Sequence, residues 1–184
     1  AYDLALSPAF AEDQTLFVAT GRSLHRSTDG GESWEQLAPA AAGFSFPVHK
    51  VSISANFATD QTVLAATPGA IYRSTDGGAT WQPVLNPEEP ASSPDILAIA
   101  PDGMTAYARF GYGFPLQMSR DGGRQWQAQP SPEGELISFS GSAVTSDSRL
   151  IAVPEFETRL LQAGPGTRPW DSLTLPPGLT GLQA

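Results

Sequence analysis

Three aspartates recur in one local setting. Asp29 lies in Ser27-Thr-Asp-Gly-Gly-Glu-Ser-Trp34, Asp76 in Ser74-Thr-Asp-Gly-Gly-Ala-Thr-Trp81, and Asp121 in Ser119-Arg-Asp-Gly-Gly-Arg-Gln-Trp126. A carboxylate so placed has two chemistries open to it. It can act as an acid or metal ligand, or it can accept hydrogen bonds from the amides of its own turn. The second suits the setting, because each segment holds one central Asp, followed by glycines that supply positive φ and close approach, at Gly31, Gly78 and Gly123. The opening serines, Ser27, Ser74 and Ser119, are placed to tie the other end of the loop. Trp34, Trp81 and Trp126 then carry large rings that can insert between layers while each indole N–H finds a carbonyl.

The elements that hold these turns follow from the repeat. The tryptophans recur about every 45 residues, the period of a four-stranded propeller blade, and Trp170 falls one period further on, in a copy without the Ser and Asp. The similarity runs upstream: residues 4–20 align with residues 51–67, with shorter versions at 96–108 and 136–153. Each unit reads as four short strands separated by Gly, Pro, Asp and Ser, in the first at about Tyr2–Ser7, Thr15–Thr20, Ser23–Ser27 and Trp34–Leu37. No segment shows a sustained helical period. Radially repeated four-stranded antiparallel sheets make a β-propeller, so the fold class expected is all-β. Blades are expected at 1–47, 48–94, 95–135 and 136–178, with 179–184 opening a further one. Four blades are the lower limit of a closed ring. The expectation is therefore an arc of a larger propeller, completed by a further segment or a second chain.

The Ser-x-Asp-x-Gly-x-Ser/Thr-Trp pattern resembles the Asp-box (bacterial neuraminidase repeat) superfamily of sialidases, xyloglucan-degrading glycoside hydrolases, sortilin-type receptors and photosystem II assembly factors. Blades one and two match fully, through Ser33 and Thr80, whereas blade three has Gln125 there. The resemblance implies a propeller whose boxes lie on turns between third and fourth strands, away from the ligand face. A sialidase would need three convergent arginines, a Tyr–Glu pair, an acid/base Asp and an Arg-Ile-Pro signature, and that signature is absent. Arg26 and Arg73 are equivalent positions of successive blades, which reads as repeat architecture. Nothing singles out a facing pair of carboxylates of the kind glycoside hydrolysis requires.

Function in propellers sits on loops at one face. Those loops carry Phe44 and Phe46 between blades one and two, Tyr112 and Phe114 in blade three, and Phe156 flanked by Glu155 and Glu157 in blade four. These rings either stack on a sugar or anchor a protein partner, or else they plug gaps beneath their own loops. Asp13 and Asp60 fall in the turns between first and second strands. One carboxylate per turn is too few for calcium, and an Asx-turn is the expectation there. His49 stands alone and reads as structural.

Composition narrows the class. A formal net charge of −9 disfavours nucleic acid, which needs a basic stripe. There is no cysteine, so disulfides and thiolate chemistry are out. No apolar run reaches the length of a membrane span. No metal or cofactor is expected. The reading is a non-enzymatic, extracytoplasmic bacterial scaffold or binding module for a protein or glycan; the alternative is a fragment of a sialidase- or xyloglucanase-like glycoside hydrolase.

Overall fold

Short strands of two to six residues dominate wherever apolar residues alternate or run together between turn formers. In a computed structural model they form four four-stranded sheets, each in chain order and antiparallel throughout. The structure describes residues 2–20, 23–37, 47–86, 93–111, 113–130, 139–154, 160–164 and 170–173. The first sheet holds β1 (Asp3–Leu6), β2 (Leu16–Ala19), β3 (Leu24–Ser27) and β4 (Glu35–Leu37). The second holds β5 (Lys50–Ile53), β6 (Val63–Thr67), β7 (Ala70–Ser74) and β8 (Gln82–Leu85). The third holds β9 (Ile96–Ile99), β10 (Ala106–Arg109), β11 (Gln117–Ser119) and β12 (Gln127–Ala128). The fourth holds β13 (Phe139–Val144), β14 (Leu150–Pro154), β15 (Leu160–Ala163) and β16 (Asp171–Leu173). This is an all-β, partial β-propeller.

Two one-turn helices depart from the all-strand expectation, α1 (Phe10–Asp13) and α2 (Phe57–Asp60), both between first and second strands. Four residues make barely one turn, so no 3.6-residue period could announce them. Each ends on a left-handed glutamine, Gln14 or Gln61, whose N–H bonds back to the Phe10 or Phe57 carbonyl. The expected Asx-turns follow directly: Asp13 accepts from the Thr15 amide at 2.9 Å and the Ser7 hydroxyl at 2.6 Å. Asp60 repeats this with Thr62 and Ser54 at 2.8 and 2.7 Å.

Neighbouring sheets pack face to face, and each interface has its own apolar core. Phe17, Leu24 and Leu37 meet Val51, Val63 and Trp81 across the first interface. Leu64 and Ile71 meet Leu97, Ala106 and Ala108 across the second. Tyr107 and Met118 meet Leu150 and Leu161 across the third. The second strands of the two inner sheets lie between two such faces, which is why β6 reads Val-Leu-Ala-Ala-Thr and is buried throughout. First strands run side by side along the inner edge, where the Val51 amide bonds to Asp3 at 3.0 Å and the Ile99 amide to Ser52 at 2.9 Å.

The tryptophans show which faces are covered. Trp81 is 8% exposed in the first interface, and Trp170 stacks on Phe139 with centroids 5.3 Å apart. Trp34 is 44% exposed, against the expectation that every such ring is inserted between sheets. Among the described residues no sheet lies on that side of the first one. Tyr2, Leu4 and Leu6 on the same sheet are more than half exposed, whereas Val51 and Ile53, the equivalents of Leu4 and Leu6, are buried. Substituting Trp81→Ala should therefore cost roughly 3–5 kcal/mol in urea unfolding, and Trp34→Ala roughly 1 kcal/mol. Equal losses would show that the exposure difference has no energetic meaning.

Candidate functional site

The three repeated aspartates are fully engaged within their own turns. In the first box the Ser27 hydroxyl donates to Asp29 at 2.7 Å and accepts from the Gly31 amide at 2.8 Å. Asp29 in turn accepts from the Ser33 amide at 2.9 Å and from the Ser33 hydroxyl. The Trp34 indole closes the loop on the Gly31 carbonyl at 3.0 Å. The second box repeats this through Ser74, Asp76, Gly78, Thr80 and Trp81. In the third, Ser119, Gly123 and Trp126 behave alike. There Gln125 offers only its amide, at 2.9 Å, and the Arg124 amide supplies a further bond to Asp121 at 3.0 Å.

These bonds hold the carboxylates in the charged form. The Ser33 hydroxyl above all, then the Ser33 amide and Ser27, lower the pKa of Asp29 to about 2. For Asp76, loss of solvent pushes upward, but the combined bonds from Thr80, Ser74 and Ala79 bring the net shift below the usual value. Asp121 follows the same balance, with Gln125, Ser119 and Arg124 outweighing burial. Carboxylates held so far into the charged form are poor proton donors near neutral pH.

The boxes also tie one sheet to the next. The Arg26 guanidinium, from β3, donates through Nη1 to the Gly77 carbonyl of the second box at 2.8 Å. Arg73, from β7, donates through Nε to the Gly122 carbonyl of the third box at 2.8 Å. The sequence marks this pair as equivalent, and the structure supplies the reason: each clamps the following blade. Their surroundings differ. Arg26 forms an ion pair with Glu35 at 2.6 Å, whereas the position opposite Arg73 is Gln82. A cleft of about 450 Å³ opens beside Arg73, bordered by Arg124, Thr75, Thr80, Gln82 and the apolar Pro83 and Val84.

On the opposite side of the third sheet, the buried Arg109 pairs with the half-buried Asp95 at 2.7 Å, and the guanidinium lies 4.2 Å over the Phe139 ring. The ring contact reaches the fourth sheet, while the ion pair pins the start of the Phe110–Pro115 segment, with the Gly111 amide donating to Asp95 at 3.2 Å. Phe114 is half-buried, packs against the core of the second interface, and meets Phe110 edge-on at 6.3 Å. The other expected loop residues, Phe44, Phe46, Tyr112, Glu155, Phe156 and Glu157, lie outside the described residues. His49 stacks on Tyr2 at 4.6 Å, and burial lowers its pKa.

Residues 1–174 match the family of the photosynthesis system II assembly factor YCF48. The chain belongs to that family. YCF48 from Cyanidioschyzon merolae superposes with a TM-score of 0.68 at 20% identity, covering 96% of this chain and 56% of its own. A structure of YCF48 bound to D1 peptide gives 0.67 at 17% identity, covering 92% and 53%. The GH74 enzyme of Niastella koreensis gives 0.73 at 18% identity, covering 93% of this chain and 29% of that one. At such identities the likeness is one of fold. The chain spans just over half the length of the YCF48 chains it resembles. No curated protein sequence matches it. Among the described residues no helix is long and apolar enough to cross a membrane.

For a member of this family the box bonds make a pH prediction. Depressed carboxylate pKa values stabilise the folded state above the unfolded value, near 3.8, and that stabilisation is lost as pH falls through the folded value of about 2. The urea midpoint should hold between pH 7 and pH 5, then fall progressively below about pH 4. Asp29→Asn should lower the midpoint at pH 7 and flatten the acid-side fall. An unchanged acid slope in that variant would remove Asp29 from the account.

Proposed function

We propose that the chain is a binding scaffold for a protein partner, engaged through a peptide segment, and that it is not a catalyst. Membership of an assembly-factor family along 1–174 carries this reading, because one such relative has been solved with a bound peptide. The site chemistry supports it. The repeated carboxylates are committed to their turns, and clefts between rigid sheets offer guanidinium and hydroxyl donors beside apolar walls. The proposal extends to location, outside the cytoplasm, as the sequence reading expects. The test is a peptide array run beside a glycan array and a panel of fluorogenic glycosides. Binding to a subset of peptides without glycoside turnover is expected. Hydrolysis of a sialoside or glucan, or glycan binding with no peptide binding, would overturn the reading.

We also propose that a further sheet of the same build covers the open face of the first sheet, completing a larger ring. The exposure of Tyr2, Leu4, Leu6 and Trp34 supports this, as does the chain's coverage of only 56% of the YCF48 chain from Cyanidioschyzon merolae. A second copy is the occupant open to the chain by itself. Light scattering should then find a dimer that the charged substitution Leu4→Glu dissociates. A compact monomer at high concentration counts against it.

A further inference from the structure

Between the second sheet and the third box lie two arginines, one with a differently answered charge from its counterpart a blade earlier and one standing where the earlier blade has alanine. Resting on the protein-binding reading above, we propose that the cleft between the second and third sheets is a carboxylate-binding site, formed by Arg73 and Arg124, for an acidic side chain on a partner peptide.

The internal repeat provides the comparison. In the first interface Arg26 reaches the Gly77 carbonyl, and Glu35, its cross-strand neighbour, neutralises it at 2.6 Å. In the second interface Arg73 makes the equivalent bond to Gly122, but its cross-strand neighbour is Gln82, a neutral amide. The box position occupied by Ala79 in the second blade is Arg124 in the third. One carboxylate is thus removed and one guanidinium added, a gain of two positive charges in the same local frame. Among the described residues neither Arg73 nor Arg124 has a carboxylate at ion-pair distance, while Arg26, Arg109 and Arg149 each have one.

Both guanidinium groups are held for recognition. Arg73 is fixed by Nε on the Gly122 carbonyl and by Nη2 on the Thr62 hydroxyl at 3.2 Å. Arg124 is fixed by Nη1 on the Asp121 carbonyl at 2.8 Å. They flank a single backbone position, since a Cβ added at Gly122 would lie 3.9 Å from Arg73 Nη2 and 4.0 Å from Arg124 Nη1. Donors remain on each group after these bonds, because a guanidinium carries five N–H. Burial and the nearby Arg124 charge both lower the pKa of Arg73, with Asp60 and Asp121 opposing. An incoming oxyanion relieves that repulsion.

The rest of the cleft selects the source of the oxyanion. Pro83 and Val84 form an apolar wall, and Thr75 and Thr80 line the polar side. That combination fits a carboxylate on a side chain whose neighbour in sequence is apolar.

The test uses the whole chain and a fluorescently labelled, capped hexaglutamate peptide, with inorganic phosphate as a competing arm. One peptide per chain is expected, with affinity falling as salt rises. Arg124→Ala should weaken binding about tenfold, the size expected for loss of a charge-assisted contact. A gain variant guards against a misfolded loss variant. Glu35→Gln together with Ala79→Arg recreates the charge pattern in the first interface and should raise the stoichiometry to two. The proposal is overturned if Arg124→Ala binds like the parent, if phosphate binds more tightly than hexaglutamate, if the gain variant still binds one peptide, or if the parent binds none. Absence of hexaglutamate binding would leave the scaffold reading standing on the peptide array, so the two failures are separable.

Discussion

At the second and third boxes adjacent sheets approach so closely that only a hydrogen atom fits between them. A Cβ added at Gly78 would lie 2.7 Å from Leu37 and 3.3 Å from Phe17, and one at Gly123 would lie 2.9 Å from Leu64. Both glycines also sit at positive φ, near +94° and +82°. The serine–aspartate bonds of the box place that glycine, and apolar side chains of the preceding sheet press against it. The distance between sheets, the apolar core between them and the reach of Arg26 and Arg73 onto the next carbonyl all depend on this contact. Since the aspartate must keep its turn bonds for the contact to exist, its carboxylate is withdrawn from other chemistry.

A repeat of this kind spends most of its residues on sameness, so functional information concentrates where equivalent positions differ. Glu35 and Gln82 occupy the same register opposite an arginine, yet one closes an ion pair and the other leaves a cation available. Ser33, Thr80 and Gln125 fill one box position with different consequences: two hydroxyls grip their aspartate, and the glutamine bonds through its backbone amide. Tyr107 stands where Phe17 and Leu64 stand in the earlier sheets. Its hydroxyl adds a bond to the Ser148 carbonyl at 2.7 Å, and burial raises its pKa to about 12. That joins the third and fourth sheets by a polar contact the other interfaces make through arginine.

The box was legible in the sequence because its interactions are local, spanning residues two to four apart. The same locality made the Asx-turns at Asp13 and Asp60 readable, and with them the strand order within each sheet. The clamp from Arg26 to Gly77 joins residues 51 apart, and the clamp from Arg73 to Gly122 joins residues 49 apart. Such contacts exist only once sheets are stacked in register, so equivalence of the two arginines was visible while their partners were not. The one-turn helices were hidden for another reason, being shorter than the period that would reveal them. Of the aromatic loop set, Phe114 is the residue whose placement is described, and its packing on Phe110 and the second core favours the gap-filling role the sequence left open.

The open face of the first sheet carries the same constraint without its complement. Asp3 and Ala5 point toward the second sheet, where Asp3 accepts the Val51 amide and Ala5 packs on the core. Leu4 and Leu6 point the other way, with the residue types that Val51 and Ile53 use to bury themselves. Gly31 has the positive φ of Gly78 and Gly123, near +98°, yet a Cβ added there would meet only the Trp34 ring, at 3.6 Å. In the two interior interfaces that space belongs to a large side chain of the preceding sheet. A surface evolved for water would gain by replacing these apolar residues, and a turn with free space beside it could relax its backbone. The face instead keeps each feature that receives a neighbouring sheet. Whatever covers it must therefore present a bulky apolar side chain over Gly31 and a flat apolar face to Leu4 and Leu6, as the first sheet does for the second.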